Sequence, residues 1–178
     1  MNRRDFHKTS GAILLSYFIG GTALSLSPAA AQERHLPFQI LTPEEADLLA
    51  RLGDAIVPGA KAAGLSHYID HQLSTPSADT MLILKYLGVP APYIDFYRPA
   101  LRALKNSLHD TSATGLQAYI AHMTQNNPPD WDKAPPAPFF YFILRSDAID
   151  ITYGTREGFE KLDIPYLAHI EPEKRSWT

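Results

Sequence analysis

Histidines and carboxylates have the lone pairs and proton affinities for catalysis or metal binding, so their spacing is the first thing to read. The segment His67-Tyr68-Ile69-Asp70-His71 sets two histidines four residues apart, with an aspartate between them. On a helix this spacing puts both imidazoles on one face, an arrangement a zinc site can use. The pattern lacks the glutamate that follows the first histidine in helical zinc proteases, and no third ligand lies nearby in sequence. Two readings follow. One is a stand-alone periplasmic metalloenzyme or binding domain using His67, Asp70 and His71; the plainer one is surface histidines flanking a buried Ile69. His35, His109, His122 and His169 are scattered singly. Asp147 and Asp150 stand three apart, close enough for acid–base work, although such a pair is more often a solvated helix face.

Other chemistries are excluded by what the chain lacks. It has 178 residues and no cysteine, which rules out disulfides, thiol nucleophiles, thiolate-bound iron–sulfur clusters and covalently attached c-type haem. No Gly-x-Ser-x-Gly elbow, Gly-x-Gly-x-x-Gly turn or phosphate-binding loop occurs. A net charge of −3 without a dense basic cluster leaves no electrostatic footprint for nucleic acid. With 45% hydrophobic and 20% charged residues, the composition is that of one folded globular domain.

The elements that must position these groups read as helices. Thr42-Pro43-Glu44-Glu45 is a capping box with proline at the first helical position, and Leu48, Leu49, Leu52, Ile56 and Val57 recur at helical spacing up to Pro58-Gly59. Ser66 is expected to cap a short helix through Leu73, and Ala78–Leu87 to form another. Tyr93–Leu108 carries an apolar stripe and an internal Pro99, which predicts a kink or two abutting helices. Ser112–Thr124 is a further helix, and the proline-rich residues 126–138 are a connector. Phe139–Tyr153 is expected to end in a left-handed cap at Gly154, ahead of a short helical piece near Glu157–Leu162. No stretch alternates with period two. The fold class is therefore all-α, a bundle of about six or seven short helices on one core.

Residues 1–31 read as an export signal rather than as part of the fold. Arg3-Arg4 with Phe6 is a twin-arginine (Tat) motif, and the apolar run Gly11–Leu26 follows it. Pro28 breaks the run, and Ala29-Ala30-Ala31 offers small side chains, Ala29 and Ala31 foremost, for cutting after Ala31. The run is about 16 residues, short of the ~20 that a spanning helix needs. On this reading residues 32–178 are a single helical domain, exported to the periplasm and mildly acidic.

The aromatics suggest a partner. Phe139, Phe140, Tyr141 and Phe142 point around most of a helix, which means either a centrally buried helix or an apolar face reserved for another chain.

Three ordered stretches resemble the gluconate 2-dehydrogenase subunit 3 family, the small subunits of periplasmic flavin-dependent sugar and polyol dehydrogenases. They are Leu41-Thr42-Pro43-Glu44-Glu45-Ala46 running to Asp54-Ala55-Ile56-Val57-Pro58; Ala62-Ala63-Gly64-Leu65 with Tyr68–Leu73; and Phe139-Phe140 with Leu144-Arg145, Tyr153-Gly154 and Gly158-Phe159. Many members carry Tyr-Gly-Gly-Asn where this chain has Tyr153-Gly154-Thr155-Arg156. The resemblance implies a chain with no catalytic residues and no cofactor of its own. It would bind a GMC-type large subunit that holds FAD and acts with a multihaem cytochrome c subunit. The small subunit would supply the Tat signal and support the large subunit's export, folding or stability. Its contact surface would be drawn from Phe139, Phe140, Tyr141, Phe142, Tyr153, Gly154, Arg156 and Phe159.

Overall fold

A computed structural model describes residues 14–19 and 22–165. The described chain is mostly helical, with eight helices and one two-stranded hairpin. The order is β1 (Leu15–Ile19), β2 (Thr22–Leu26), α1 (Pro28–Glu33), α2 (Pro43–Ile56), α3 (Leu65–Ser74), α4 (Ile83–Tyr86), α5 (Ile94–Ser107), α6 (Ala113–Met123), α7 (Ala137–Tyr153) and α8 (Arg156–Lys161). No helix among the described residues is long and apolar enough to cross a membrane.

Local chemistry explains most boundaries. At α2, Thr42 Oγ1 accepts from the Glu45 amide at 3.2 Å while Glu45 Oε2 accepts from the Thr42 amide at 2.8 Å, the reciprocal box that the sequence predicts. Ser112 Oγ caps α6 through Gly115 N, and Thr155 Oγ1 caps α8 through Gly158 N. Helix α5 runs continuously through Pro99. Helix α7 begins without a cap from its own N-terminal residue. Asn127 in the proline-rich connector supplies one instead, its Oδ1 accepting from Ala137 N at 2.8 Å.

Helix α7 is the centre of the core. Phe140, Ile143, Leu144 and Ala148 are fully buried. The Phe140 ring meets those of Tyr97 at 6.1 Å and Trp131 at 5.9 Å, while Phe96 meets Phe139 edge-on at 5.5 Å. Trp131 is fixed by its indole N–H, which donates to Pro135 O at 2.8 Å. Helix α5 is tied to α2 at the surface, where Lys105 pairs with Glu44 at 2.8 Å.

The largest difference from the sequence reading lies at the N-terminus. Of the residues read as lying outside the fold, 15–19 and 22–31 form a strand pair and a helix with side chains buried against it. The strands β1 and β2 pair antiparallel from Leu15↔Leu26 to Ile19↔Thr22, and Leu15, Tyr17 and Leu26 are buried. A lone hairpin is marginal in water; this one is tied to α3, where His71 Nε2 donates to Ser16 O at 3.0 Å and the Tyr17 ring meets His71 at 5.2 Å. Helix α1 follows, with Ala31 fully buried.

Three smaller differences have local causes. Ser66 does not cap α3; its hydroxyl donates to Ala46 O of α2 at 2.6 Å, and the helix starts from Gly64. Within Ala78–Leu87 only the four residues of α4 are helical. Gly154 ends α7 at φ −74° rather than in the left-handed region, its amide donating to Asp150 O.

Candidate functional site

Helix α3 carries the residues singled out for chemistry, and the structure shows what each of them touches. Asp70 is 2% exposed. Its Oδ2 accepts from Gln39 N, and its Oδ1 accepts from both Ile40 N and Leu41 N, all at 2.8 Å. Three successive amides converging on one carboxylate form a charge-assisted clamp on an extended strap, residues 34–41, that joins α1 to α2. His67 holds the same strap one turn earlier, donating from Nε2 to Leu36 O at 3.1 Å while its ring lies 4.6 Å from that of Phe38. Burial pushes the His67 imidazole below its ordinary range, so the neutral ring carries its proton on Nε2, facing that carbonyl. His67 Nδ1 is buried without a partner.

His71 turns the other way. Its Nε2 donates to Ser16 O of β1 at 3.0 Å, and the Tyr17 ring meets its imidazole edge-on at 5.2 Å. Gln72, also buried, accepts at Oε1 from Thr80 Oγ1 at 3.0 Å and Met81 N at 2.7 Å. Polar side chains of α3 thus fasten the backbone or side chains of four other segments: the hairpin, the strap, α2, and the chain entering α4. His67, Asp70 and His71 do not converge on a point. Among the described residues no group of three histidines or carboxylates is arranged to hold a metal ion. Each member of the triad engages the backbone of this chain: Leu36 for His67, residues 39–41 for Asp70 and Ser16 for His71.

An open groove of about 600 Å³ runs between the strap and helix α2. Leu36, Phe38 and Leu41 wall one side, Ala46 and Ala50 the other, and Lys61 and Asp47 add charges to the lining. His67 reaches the groove from α3. It is an apolar concavity beside His67 of the candidate triad.

The second candidate pair separates in the structure. Asp147 is fully buried rather than solvated. Its Oδ2 accepts from Tyr97 Oη at 2.9 Å, and its Oδ1 from Ile83 N at 3.1 Å, which fixes the start of α4. Desolvation pushes the Asp147 carboxyl up to about 7, against the pull of those two hydrogen bonds, and the nearby Asp150 adds to the rise. Asp150 is more open and is also raised by burial. Asp147 is therefore a core anchor joining α4, α5 and α7.

The aromatic residues expected to meet a partner have mixed positions. Phe140 is buried at the core's centre, Phe139 and Tyr141 are half-buried, and Phe142 is 47% exposed. Tyr153 and Phe159 are half-buried and Gly154 is exposed, while the side chain of Arg156 lies outside the described set. The sequence reading does not anticipate the apolar surface at Met81, Tyr86 and Leu87, of which Tyr86 is 67% exposed. The helix expected over Ala78–Leu87 shortens to the four residues of α4, which leaves these side chains outside the core. Arg3, Arg4 and Phe6 lie outside the described residues. Comparison with protein-family models, with curated proteins and with solved structures returned no match for this chain.

Proposed function

We propose that this chain is the non-catalytic small subunit of a periplasmic, flavin-dependent GMC-type dehydrogenase acting on sugars, polyols or sugar acids. It supplies the Tat signal and supports export, folding or stability of the FAD-bearing large subunit, from which a multihaem cytochrome c subunit takes electrons. One observation carries the reading: the residues best suited to chemistry, His67, Asp70 and His71, are engaged with the chain's own backbone. A helix used in this way organises a scaffold, and a scaffold acts through what it binds.

The Arg3-Arg4 motif and the ordered stretches that resemble the family supply the identity of the partner. The physical logic is that flavin loads into a folded protein and the Tat route carries folded cargo. A signal on a small helical chain therefore serves a larger chain folded against it. Exposed Phe142 and Tyr86 supply apolar anchors of the kind that interfaces use.

The test is to replace Arg3-Arg4 with Lys-Lys in the native host and follow the flavoprotein by fractionation. The reading predicts that both chains stay in the cytoplasm. Normal periplasmic flavoprotein in that strain would overturn the escort role.

A further inference from the structure

The bond expected to be cut on export, Ala31–Gln32, lies inside a closed and capped helix. At the front of α1, Ser27 Oγ accepts from Ala30 N at 3.2 Å and Pro28 takes the first position. At the rear, Leu36 N donates to Ala31 O at 3.1 Å and His35 N to Gln32 O at 2.9 Å, with His35 left-handed at φ 52°. This pair of bonds around a left-handed residue is the Schellman closure. The carbonyl a peptidase must attack is thus already the acceptor of the closing bond. The Ala31 methyl, which would have to enter the peptidase pocket, is 0% exposed.

A second contact holds the helix in place. Gly64 sits at φ +84°, and a Cβ there would lie 2.3 Å from the Pro28 carbonyl carbon and oxygen. Only glycine permits this approach, so the first turn of α1 is seated directly on the start of α3. Peptidases act on exposed, extended chain, and none of these features leaves the bond in that form.

We propose that α1 is a permanent part of the folded domain, closed to processing after Ala31 once folding is complete. The mature protein therefore keeps residues 28–33. Any removal of the leader falls upstream of Pro28. The inference uses the export reading only to say which peptidase is relevant.

The experiment uses bacterial signal peptidase in detergent micelles with the purified folded full-length chain in one arm and a synthetic peptide of residues 22–40, too short to fold, in the other, read by intact mass. Cutting after Ala31 is expected to be at least about tenfold slower in the folded arm, because the bond opens only through local unfolding. Ser27→Ala, which removes one cap without a steric clash, should speed the folded-arm cut by about fivefold. In parallel, the protein recovered from the periplasm is expected to begin at or before Pro28. Equal cutting rates in the two arms, or a recovered chain that begins anywhere from Ala29 to Gln32, would overturn the proposal. Failure of the escort role leaves the two-arm comparison readable, so the two ideas fail separately.

Discussion

Asp70 and Asp147 are both shut away from water on interior helix faces, and they are built for different purposes. Asp70 gathers three consecutive backbone amides at 2.8 Å and fixes a loop. Asp147 receives one amide at 3.1 Å and one phenol, and its carboxyl is pushed up to about 7. Burial alone does not decide what an aspartate does. The donors around it decide what it joins: successive amides of one loop at Asp70, an amide and a phenol from two other helices at Asp147. Both cases serve the fold, and neither carboxyl stands free to meet a substrate.

Of the two buried aspartates, the larger effect should come from Asp70→Ala. It leaves three buried amides without an acceptor, and about 3–5 kcal/mol of unfolding free energy should go with them. Asp70→Asn should recover only part of that, since an amide nitrogen facing an N–H group repels it. Denaturant titration checks both; a loss below about 1 kcal/mol would erase the contrast with Asp147.

Asp147→Ala should cost somewhat less, about 2–4 kcal/mol, by stranding Ile83 N and the Tyr97 hydroxyl. Asp147→Asn sharpens the comparison. A folded-state carboxyl raised from 3.8 to about 7 binds its proton more tightly than the unfolded chain does. Its contribution to stability is therefore complete below the ordinary aspartate range and is lost as pH rises through about 7. The wild-type midpoint should fall between about pH 4 and pH 7, and Asp147→Asn should flatten that part of the decline. An unchanged slope in the variant would show that Asp147 is not the titrating group.

His67 works in the opposite sense. Its imidazole is held below the ordinary range by burial, so its contribution is present above that range and is lost as pH falls through the lowered value. His67→Gln should soften the acid side of the profile, measured by the same titrations. The smallest stability change belongs to the outer ring of the aromatic run. Phe142→Ala should stay within about 0.5 kcal/mol of wild type, while Phe140→Ala loses about 3–5 kcal/mol. If Phe142 is an anchor, its replacement should still weaken retention of the flavoprotein.

Much of the fold was legible where local chemistry and tertiary contacts agree. Thr42-Pro43-Glu44-Glu45 gave α2 its start, and Phe139–Tyr153 gave the central helix. Ser27-Pro28 carries the same signature, a hydroxyl cap followed by proline, yet the adjoining alanines also fit a peptidase site. The contact that seats this helix is with Gly64, which is distant in sequence. The strands were hidden similarly, because an unbroken apolar run shows no period-two alternation and reads as a leader. The α3 clamps were out of reach for another reason. An aspartate between two histidines looks the same whether its oxygens face a metal or the amides of a strap some thirty residues earlier.

The central claim is that α3 builds a scaffold and that the chain acts through a flavin-bearing companion. The most direct measurement is the absorbance spectrum and subunit composition of what the tagged full-length protein retains from its native host. The account predicts a larger chain with bound flavin, retained equally well by His71→Ala if that variant folds. A chain that purifies alone and turns over a substrate, or that holds a stoichiometric metal ion lost in His71→Ala, would contradict it.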